Sequence, residues 1–308
     1  MLQIQSESEI HSKLRIWLDA PDPSTNYHAA FRLRQQGTGS WLLCDNRFVD
    51  WNASQGSCLW LHGIPGCGKT VLSATIIDHQ TKNHPNSVVA YFYFDFNDDG
   101  KRKVNKCLRS LLMQLASQIP EGLHALQSLH MQCKGREQPQ DSALLPMLDL
   151  IIQRTKYIYI ILDALDECED RTELLDFVEG LVEKHQSSLH FLATSRRERD
   201  IEERIQPIMT SAIDIISSTV DEDIALYVES CLQNDPRLRK WPMSVRDEIK
   251  ETLAHKAQRN VCASHRVGEI LTNRQKVQMG VLPTRIPSQV YQAIFFAAST
   301  SKSTSNTR

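Results

Sequence analysis

The sequence of 308 residues predicts an α/β fold: a mainly parallel sheet of five strands, flanked by helices and followed by a small helical segment. Short apolar runs of strand length alternate with stretches in which apolar residues recur every three or four positions. The most apolar run, residues 157–162, shows no polar alternation, which is typical of a strand covered on both faces. Regular alternation of such strands with helices favours a parallel sheet.

The individual elements follow from these patterns. The predicted strands cover residues 58–62, 88–96, 157–162, 190–194 and 212–216. Helical spacing predicts helices over residues 9–19, 27–36, 103–118, 141–153, 221–233 and 243–257, and further helices after residues 69 and 170. Asp170 is expected to cap the last of these, because Glu173 stands three residues later. Residues 132–140 are predicted to form a polar loop, and residues 298–308 to be disordered.

Composition limits the classes of function. A net charge of -2 gives no electrostatic case for a nucleic-acid partner. The charge is uneven, because residues 259–308 carry seven basic side chains against one acid. The eight cysteines include no C-x-x-C pair, which predicts reduced thiols in a cytoplasmic protein without a zinc site or disulfides. The polar, acidic start is unlike a signal peptide, and the lack of an apolar run of about 18 residues predicts no membrane span.

The first strand and the helix after it are joined by a glycine-rich loop. Its residues, Gly63, Ile64, Pro65, Gly66, Cys67, Gly68, Lys69 and Thr70, fit the G-x-x-x-x-G-K-[ST] phosphate-loop pattern at every fixed position. Glycines let the backbone approach a phosphate closely, and the start of the helix offers unpaired N–H groups to an anion. We expect Lys69 to contact the β- and γ-phosphates of a nucleotide and the Thr70 hydroxyl to bind Mg²⁺. Cys67 is expected to be a small filler residue, with a redox-sensitive thiol as the alternative.

Carboxylates follow the most apolar strand. Asp163 stands at its C-terminal end, where open α/β sheets carry their sites, and is predicted to be a second Mg²⁺ ligand. Asp166 and Glu167 are candidates for orienting or deprotonating an attacking water. The alternative is a polar strand-to-helix turn whose acids only cap the helix.

A third polar group ends the next strand, at Thr194-Ser195-Arg196. An arginine at that edge could contact the γ-phosphate and respond to its loss, which makes Arg196 a candidate sensor. The alternative is the basic start of a helix. Trp41, Trp51 and Trp60 are expected to pack in the core, and the alternative is that residues 37–41 cover a bound base.

Together these residues resemble the NACHT module of the STAND class of P-loop NTPases, the switches of NOD-like receptors, and most closely the fungal nephrocystin-3-like NACHT proteins. The motifs that carry the resemblance are the phosphate loop, Tyr91-Phe92-Tyr93-Phe94-Asp95-Phe96, Asp163-Ala164-Leu165-Asp166-Glu167, Thr194-Ser195-Arg196, and Gly37-Thr38-Gly39-Ser40-Trp41-Leu42-Leu43. The likeness runs from about Glu9 to Ala257. It implies a switch that is closed with a diphosphate, opens and self-associates with a triphosphate, and is reset by hydrolysis.

The resemblance also implies a domain organisation. We expect a helical lead-in over residues 1–45, a P-loop NTPase domain over 46–217, a helical subdomain over 218–258 and a basic, partly disordered tail over 259–308. Family members usually carry an N-terminal effector domain, a winged helix and C-terminal repeats. Because the likeness stops near Ala257, we expect a truncated or mis-spliced product whose tail is not family sequence.

Three functions remain open from the sequence. The leading interpretation is a slow, Mg²⁺-dependent NTPase of the switch type, with ATP or GTP as the ligand. The second is a module that binds nucleotide without hydrolysis and associates with itself or with related NACHT proteins. The third is a P-loop kinase whose lid would use Arg196, Arg197, Arg199 and Arg204, although the carboxylates after residue 162 disfavour it.

Overall fold

The computed structural model describes residues 2–135 and 137–215 and part of the chain between residues 223 and 247. By its contacts the chain divides into two compact units. The larger comprises residues up to 33, 43–62 and 69–213; the smaller comprises residues 34–42 and 63–68 with the described residues from 214 onward. The domain boundaries expected from the sequence remain a proposal. The predicted tail, the disorder of residues 298–308 and most of the two helices predicted after residue 220 lie outside the described residues.

Five strands form one sheet: β1 (Cys58–His62), β2 (Val88–Tyr93), β3 (Ile158–Asp163), β4 (Leu189–Ser195) and β5 (Ser211–Asp214). Their order across the sheet is β2-β3-β4-β1-β5, and the neighbours β2 and β3, β3 and β4, and β4 and β1 run parallel. Every residue of β1, β3 and β4 is buried, which explains the lack of polar alternation in their sequences. The predicted fold class is confirmed.

Helices occupy most of the remaining described chain. They are α1 (Leu2–Leu18), α2 (Ser24–Leu33), α3 (Ser40–Cys44), α4 (Asn46–Ala53), α5 (Lys69–Asn83), α6 (Val104–Gln118), α7 (Pro120–Gln132), α8 (Asp141–Gln153), α9 (Arg171–Lys184) and α10 (Arg199–Ile205). Single 3₁₀ turns cover Leu165–Glu167, Gln206–Ile208 and Leu238–Lys240. The Asp170 side chain accepts a hydrogen bond of 2.9 Å from the Glu173 N–H, as predicted for the cap of α9.

The two faces of the sheet meet different helices. One face, with Ile160 and Leu162 of β3, joins a large apolar cluster to which α1, α6, α8 and α9 contribute. Side chains alternate along a strand, so Ile161 and Asp163 project from the opposite face. There the side chains of α5 reach Asp163, which places the end of β3 under the start of that helix.

Several boundaries differ from the prediction. Strand β2 ends at Tyr93 rather than residue 96, because the chain turns there and Asp98 N–H bonds to Asp95 O at 3.1 Å. Helix α2 ends at Leu33 rather than residue 36. Helix α7 was not predicted, and neither were α3 and α4, which cover the residues leading into β1.

The tryptophans divide between the two units. Trp51 and Trp60 are buried in the larger unit, as expected. In the smaller unit the Trp41 indole N–H donates to Asp223 Oδ2 at 3.0 Å, and Gly39 N–H donates to the same oxygen at 2.7 Å.

The six cysteines that the structure describes carry free thiols. None of the helices in the described part combines the length and apolar character that crossing a membrane requires.

Candidate functional site

The loop of residues 63–68 needs its glycines for two different reasons. Gly66 and Gly68 have φ angles of 80° and 91°, in the left-handed region that other residues avoid. At Gly68 an added Cβ would meet nothing within 4 Å, so the requirement there is conformational. At Gly63 it would lie 2.8 Å from Cys67 Sγ and 3.0 Å from Ile215 O, so the requirement there is space. Gly66 is also exposed to solvent.

Cys67 is buried within this loop and packs against Gly63. This is the position of a filler residue, as expected, rather than that of an accessible thiol. Reactive cysteines need access and a stabilised thiolate. Burial therefore disfavours the redox alternative.

Asp163 is the centre of the polar contacts at the end of β3. Its side chain is buried, and the residue is 2 % exposed. Three hydroxyls donate to the carboxylate: Thr70 Oγ1 to Oδ2 at 2.8 Å, Ser73 Oγ to Oδ1 at 2.6 Å and Thr194 Oγ1 to Oδ1 at 2.7 Å. Burial raises the pKa of Asp163 above its ordinary value, and these three bonds and the charge of Lys69 offset only part of that rise. The predicted metal ligands Thr70 and Asp163 are brought into direct contact.

Ser73 is a residue of this group that the sequence interpretation missed. It lies three residues after Thr70 on α5, so the two hydroxyls occupy the same side of the helix. The spacing was available in the sequence. Serines occur inside helices for many reasons, and the role of Ser73 becomes visible only when the fold brings the end of β3 next to α5.

Thr194 has a double role. Its hydroxyl donates to Asp163 and accepts a hydrogen bond of 2.9 Å from the Ala164 N–H. Ala164 has a φ of 59°, in the left-handed region that costs a residue with a Cβ about 1 kcal/mol. The chain turns at this residue into the 3₁₀ turn that carries Asp166 and Glu167. The hydroxyl therefore fixes both the carboxylate and the turn that follows it.

Asp166 and Arg196 are paired with each other. The Asp166 carboxylate accepts a hydrogen bond of 2.9 Å from the backbone N–H of Arg196, and it forms an ion pair with Arg196 Nε at 2.9 Å. The Asp166 side chain is only 4 % exposed, whereas that of Arg196 is 47 % exposed. Arg171 supports the same turn, because its Nη2 donates to Asp166 O at 3.1 Å and its guanidinium pairs with Glu198. The sequence interpretation did not include Arg171.

Glu167 has a different environment from Asp166. It is half-buried, and its Oε2 accepts a hydrogen bond of 3.2 Å from the Phe96 N–H. Burial raises the pKa of Glu167, the Phe96 bond partly offsets this, and the charges of Asp166, Asp95 and Asp163 add to the rise. Among the described residues no arginine or lysine forms an ion pair with it. Glu167 also lines an open cavity of about 790 Å³, together with Phe96, Asp166 and Arg196.

These donor types suit Mg²⁺. Hydroxyl and carboxylate oxygens are the ligands that this hard cation prefers, and it is commonly held by one or two carboxylates and the phosphates of a substrate. The described residues contain no group of three or more His, Cys, Asp or Glu side chains arranged around a metal position. Thr70 and Asp163 offer one hydroxyl and one carboxylate of this kind, in contact with each other.

A protein-family model described as "Nephrocystin 3, N-terminal" matches residues 37–196, just over half of the chain. The vegetative incompatibility protein HET-E-1 of Podospora anserina is 29% identical over 201 residues, which span 63% of this chain but only 15% of that protein.

Solved structures give weaker similarities. Domain III of the Thermotoga maritima replication initiation protein DnaA aligns with 13% identity and a TM-score of 0.40, over 88% of this chain and 96% of that domain. A DNA replication initiation factor aligns with 13% identity and a TM-score of 0.39, over 80% of this chain and 64% of its own. The family match, by contrast, contains the phosphate loop, Ser73, Asp163, the turn to Glu167, Thr194 and Arg196, and through it the chain belongs to the nephrocystin-3 N-terminal family, as the motifs predicted.

Proposed function

We propose that this chain is a nucleotide-binding switch that holds ATP or GTP with Mg²⁺ and hydrolyses it slowly. The observation that carries the proposal is the 2.8 Å hydrogen bond between Thr70 and Asp163. It joins the residue that ends the phosphate-loop motif to the carboxylate that ends a buried strand. Family membership supports nucleotide binding in general, and the division of roles below rests on the contacts of individual residues.

The binding roles follow from charge and position. Backbone N–H groups of the loop and of the start of α5 would face the phosphates, and Lys69 would add a positive charge beside them. Thr70 and Asp163 would hold Mg²⁺. When bound, the metal neutralises phosphate charge and orients the oxygens. Ser73 and Thr194 would keep the Asp163 carboxylate in place with their hydroxyl groups.

The catalytic roles differ between the two acids of the turn. Both acids line the open cavity, but no basic side chain of the described chain pairs with Glu167, so Glu167 is the better candidate to orient and deprotonate water. Asp166 is already occupied by Arg196 and acts as a positioning residue. The exposed Arg196 side chain could leave Asp166 for a γ-phosphate, which would link the nucleotide state to the turn.

One observation favours a second candidate, a module that binds nucleotide without turnover. The ion pair between Asp166 and Arg196 engages both of these side chains with each other.

The kinase alternative loses support, because Arg197, Arg199 and Arg204 each pair with a glutamate: Glu202, Glu203 and Glu179. A lid of free arginines is therefore not formed by these three side chains.

The free thiols of the six described cysteines fit our proposal of a cytoplasmic protein.

The first test is to denature the purified chain and identify the released nucleotide by chromatography, which also distinguishes adenine from guanine. Binding of ADP and GDP is then titrated with and without Mg²⁺. Lys69→Ala should abolish most of the affinity. Lys82 lies at the far end of α5, where its ammonium pairs with Asp78 and lies 5.9 Å from the Phe31 ring centroid, and Lys82→Ala should leave the affinity unchanged. Equal affinity in both variants and the wild type would refute the site.

Turnover separates the two candidates. Glu167→Gln should lower hydrolysis by about 10²- to 10⁴-fold while retaining binding. Asp166→Asn should also lower it, through loss of the contact that orients Arg196. Stoichiometric binding with no turnover in the wild type would favour the binding module. Light scattering with the diphosphate and with a non-hydrolysable triphosphate tests self-association, which the switch requires only in the triphosphate state.

A further inference from the structure

Tyr93 stands next to Asp163 in the sheet. It is the last residue of β2 and pairs in register with Asp163 at the end of β3. Paired residues of parallel strands project from the same face, so the Tyr93 ring lies on the face where α5 meets the Asp163 carboxylate. Tyr91 shares this face, and the two ring centroids are 6.0 Å apart.

The Tyr93 hydroxyl forms no hydrogen bond with any of the described residues. The residue is 1 % exposed, and its Oη is buried. Buried phenols usually find a partner, because an unpaired one is destabilising. Other large aromatic side chains of this chain follow that rule: Trp51 donates to Phe191 O at 2.9 Å, Trp60 to Ser195 Oγ at 2.9 Å, and Tyr159 to Asn52 Oδ1 at 3.1 Å.

We infer that the Tyr93 hydroxyl is a further ligand-binding group of the nucleotide site. It donates its hydrogen bond to an oxygen of the hydrated Mg²⁺–phosphate group, either a metal-bound water or a phosphate oxygen. A phenol is protonated at neutral pH, and burial raises the pKa of Tyr93 further, so its hydroxyl can donate. The inference rests on the proposed nucleotide-binding function. It explains why a polar atom is buried without a partner in the described chain, beside the carboxylate that would hold the metal.

The test is Tyr93→Phe, which removes only the hydroxyl. In the nucleotide-free protein its urea midpoint should be unchanged or higher, because an unpaired polar group is lost. The affinity for Mg·ADP or Mg·GDP, whichever the wild type binds, should fall about 10- to 100-fold, the range for a hydrogen bond to a charged group. A loss seen only with Mg²⁺ identifies metal-bound water as the acceptor, and a loss with and without Mg²⁺ identifies a phosphate oxygen.

The matched control is Tyr159→Phe, near the start of β3, the strand that ends at Asp163. Its hydroxyl is paired with Asn52, so this variant should lose stability and keep its nucleotide affinity. The inference is overturned if Tyr93→Phe binds as the wild type does, or if it loses stability without nucleotide as Tyr159→Phe does. If the wild type binds no nucleotide and Lys69→Ala behaves identically, the proposed function fails and this inference fails with it. Wild-type binding that Lys69→Ala abolishes and Tyr93→Phe leaves intact rejects the inference alone.

Discussion

Replacing Thr194 with valine tests the contact that fixes both the carboxylate and the turn. The two side chains have nearly the same shape, so the substitution removes the hydroxyl with little change in packing. Asp163 would lose one of its three hydroxyl donors, and the buried Ala164 N–H would lose its acceptor. An unpaired buried group costs about 1 to 3 kcal/mol, and a bond to a charged group contributes about 1.5 to 3 kcal/mol. Because the two bonds share one oxygen, we expect a combined loss of about 2 to 4 kcal/mol in the free energy of unfolding.

Thr194→Ser is the matched control. It keeps the hydroxyl and removes one buried methyl group, which should cost about 1 kcal/mol. Unfolding in urea, followed by the fluorescence of the buried tryptophans, measures both variants. A total stability of about 5 to 15 kcal/mol leaves room for the valine variant to fold. If Thr194→Val were no less stable than Thr194→Ser, the hydroxyl would not contribute to stability and its double role would be refuted.

Three further predictions concern other parts of the chain. Gly56→Ala should lower the free energy of unfolding by more than ~4 kcal/mol, because its Cβ would lie 1.4 Å from Gln186 O at a φ of 66°. At Gly180 in α9 an added Cβ meets nothing within 4 Å, so Gly180→Ala should be neutral or stabilising, and thermal melting of both variants compares them. A general base must be ionised, so the raised pKa of Glu167 should make the hydrolysis rate fall at a pH above the ordinary glutamate pKa of about 4.3. If the residual hydrolysis by Glu167→Gln fell at the same pH, this prediction would be contradicted. Burial lowers the pKa of His190, so the unfolded chain binds a proton at this residue before the folded chain does as the pH falls below about 6.5. The free energy of unfolding should therefore decline below that pH, and it should decline less steeply in His190→Gln. Urea titrations at several pH values measure both.

The sequence was sufficient where the chemistry is local. The phosphate loop has fixed spacing, and Asp163 follows an apolar run directly, so local pattern alone locates both of them. The pairing of Asp166 with Arg196 could not be predicted, because it depends on β3 and β4 being neighbours in the sheet. The same holds for the hydroxyl of Thr194, whose partners lie 30 residues away or more.

Helix α7 shows a different limit. Gly122 is unfavourable within a helix by propensity, although Pro120 at the first position and the leucines and glutamines that follow favour a helix over residues 120–132. In the structure a Cβ at Gly122 would lie 3.1 Å from Ala116 Cα and 3.2 Å from Ile151 Cδ1. The glycine is therefore used for close packing of α7 against α6 and α8. Tertiary packing therefore explains the one residue of α7 that is unfavourable in a helix, and the sequence alone does not show this packing.

The end of β4 links the two acidic positions of the site. Thr194 and Arg196 contact Asp163 and Asp166, while Ser195 between them accepts the indole N–H of Trp60 in the core. Ser195 and Thr194 are both fully buried and bonded, so the strand itself is held at this point. Of these three consecutive residues, Arg196 alone has a substantially exposed side chain. Under the proposed function, the response to a γ-phosphate would therefore begin as a movement of this one side chain away from Asp166, while the bond from Thr194 keeps the metal-binding carboxylate where it is.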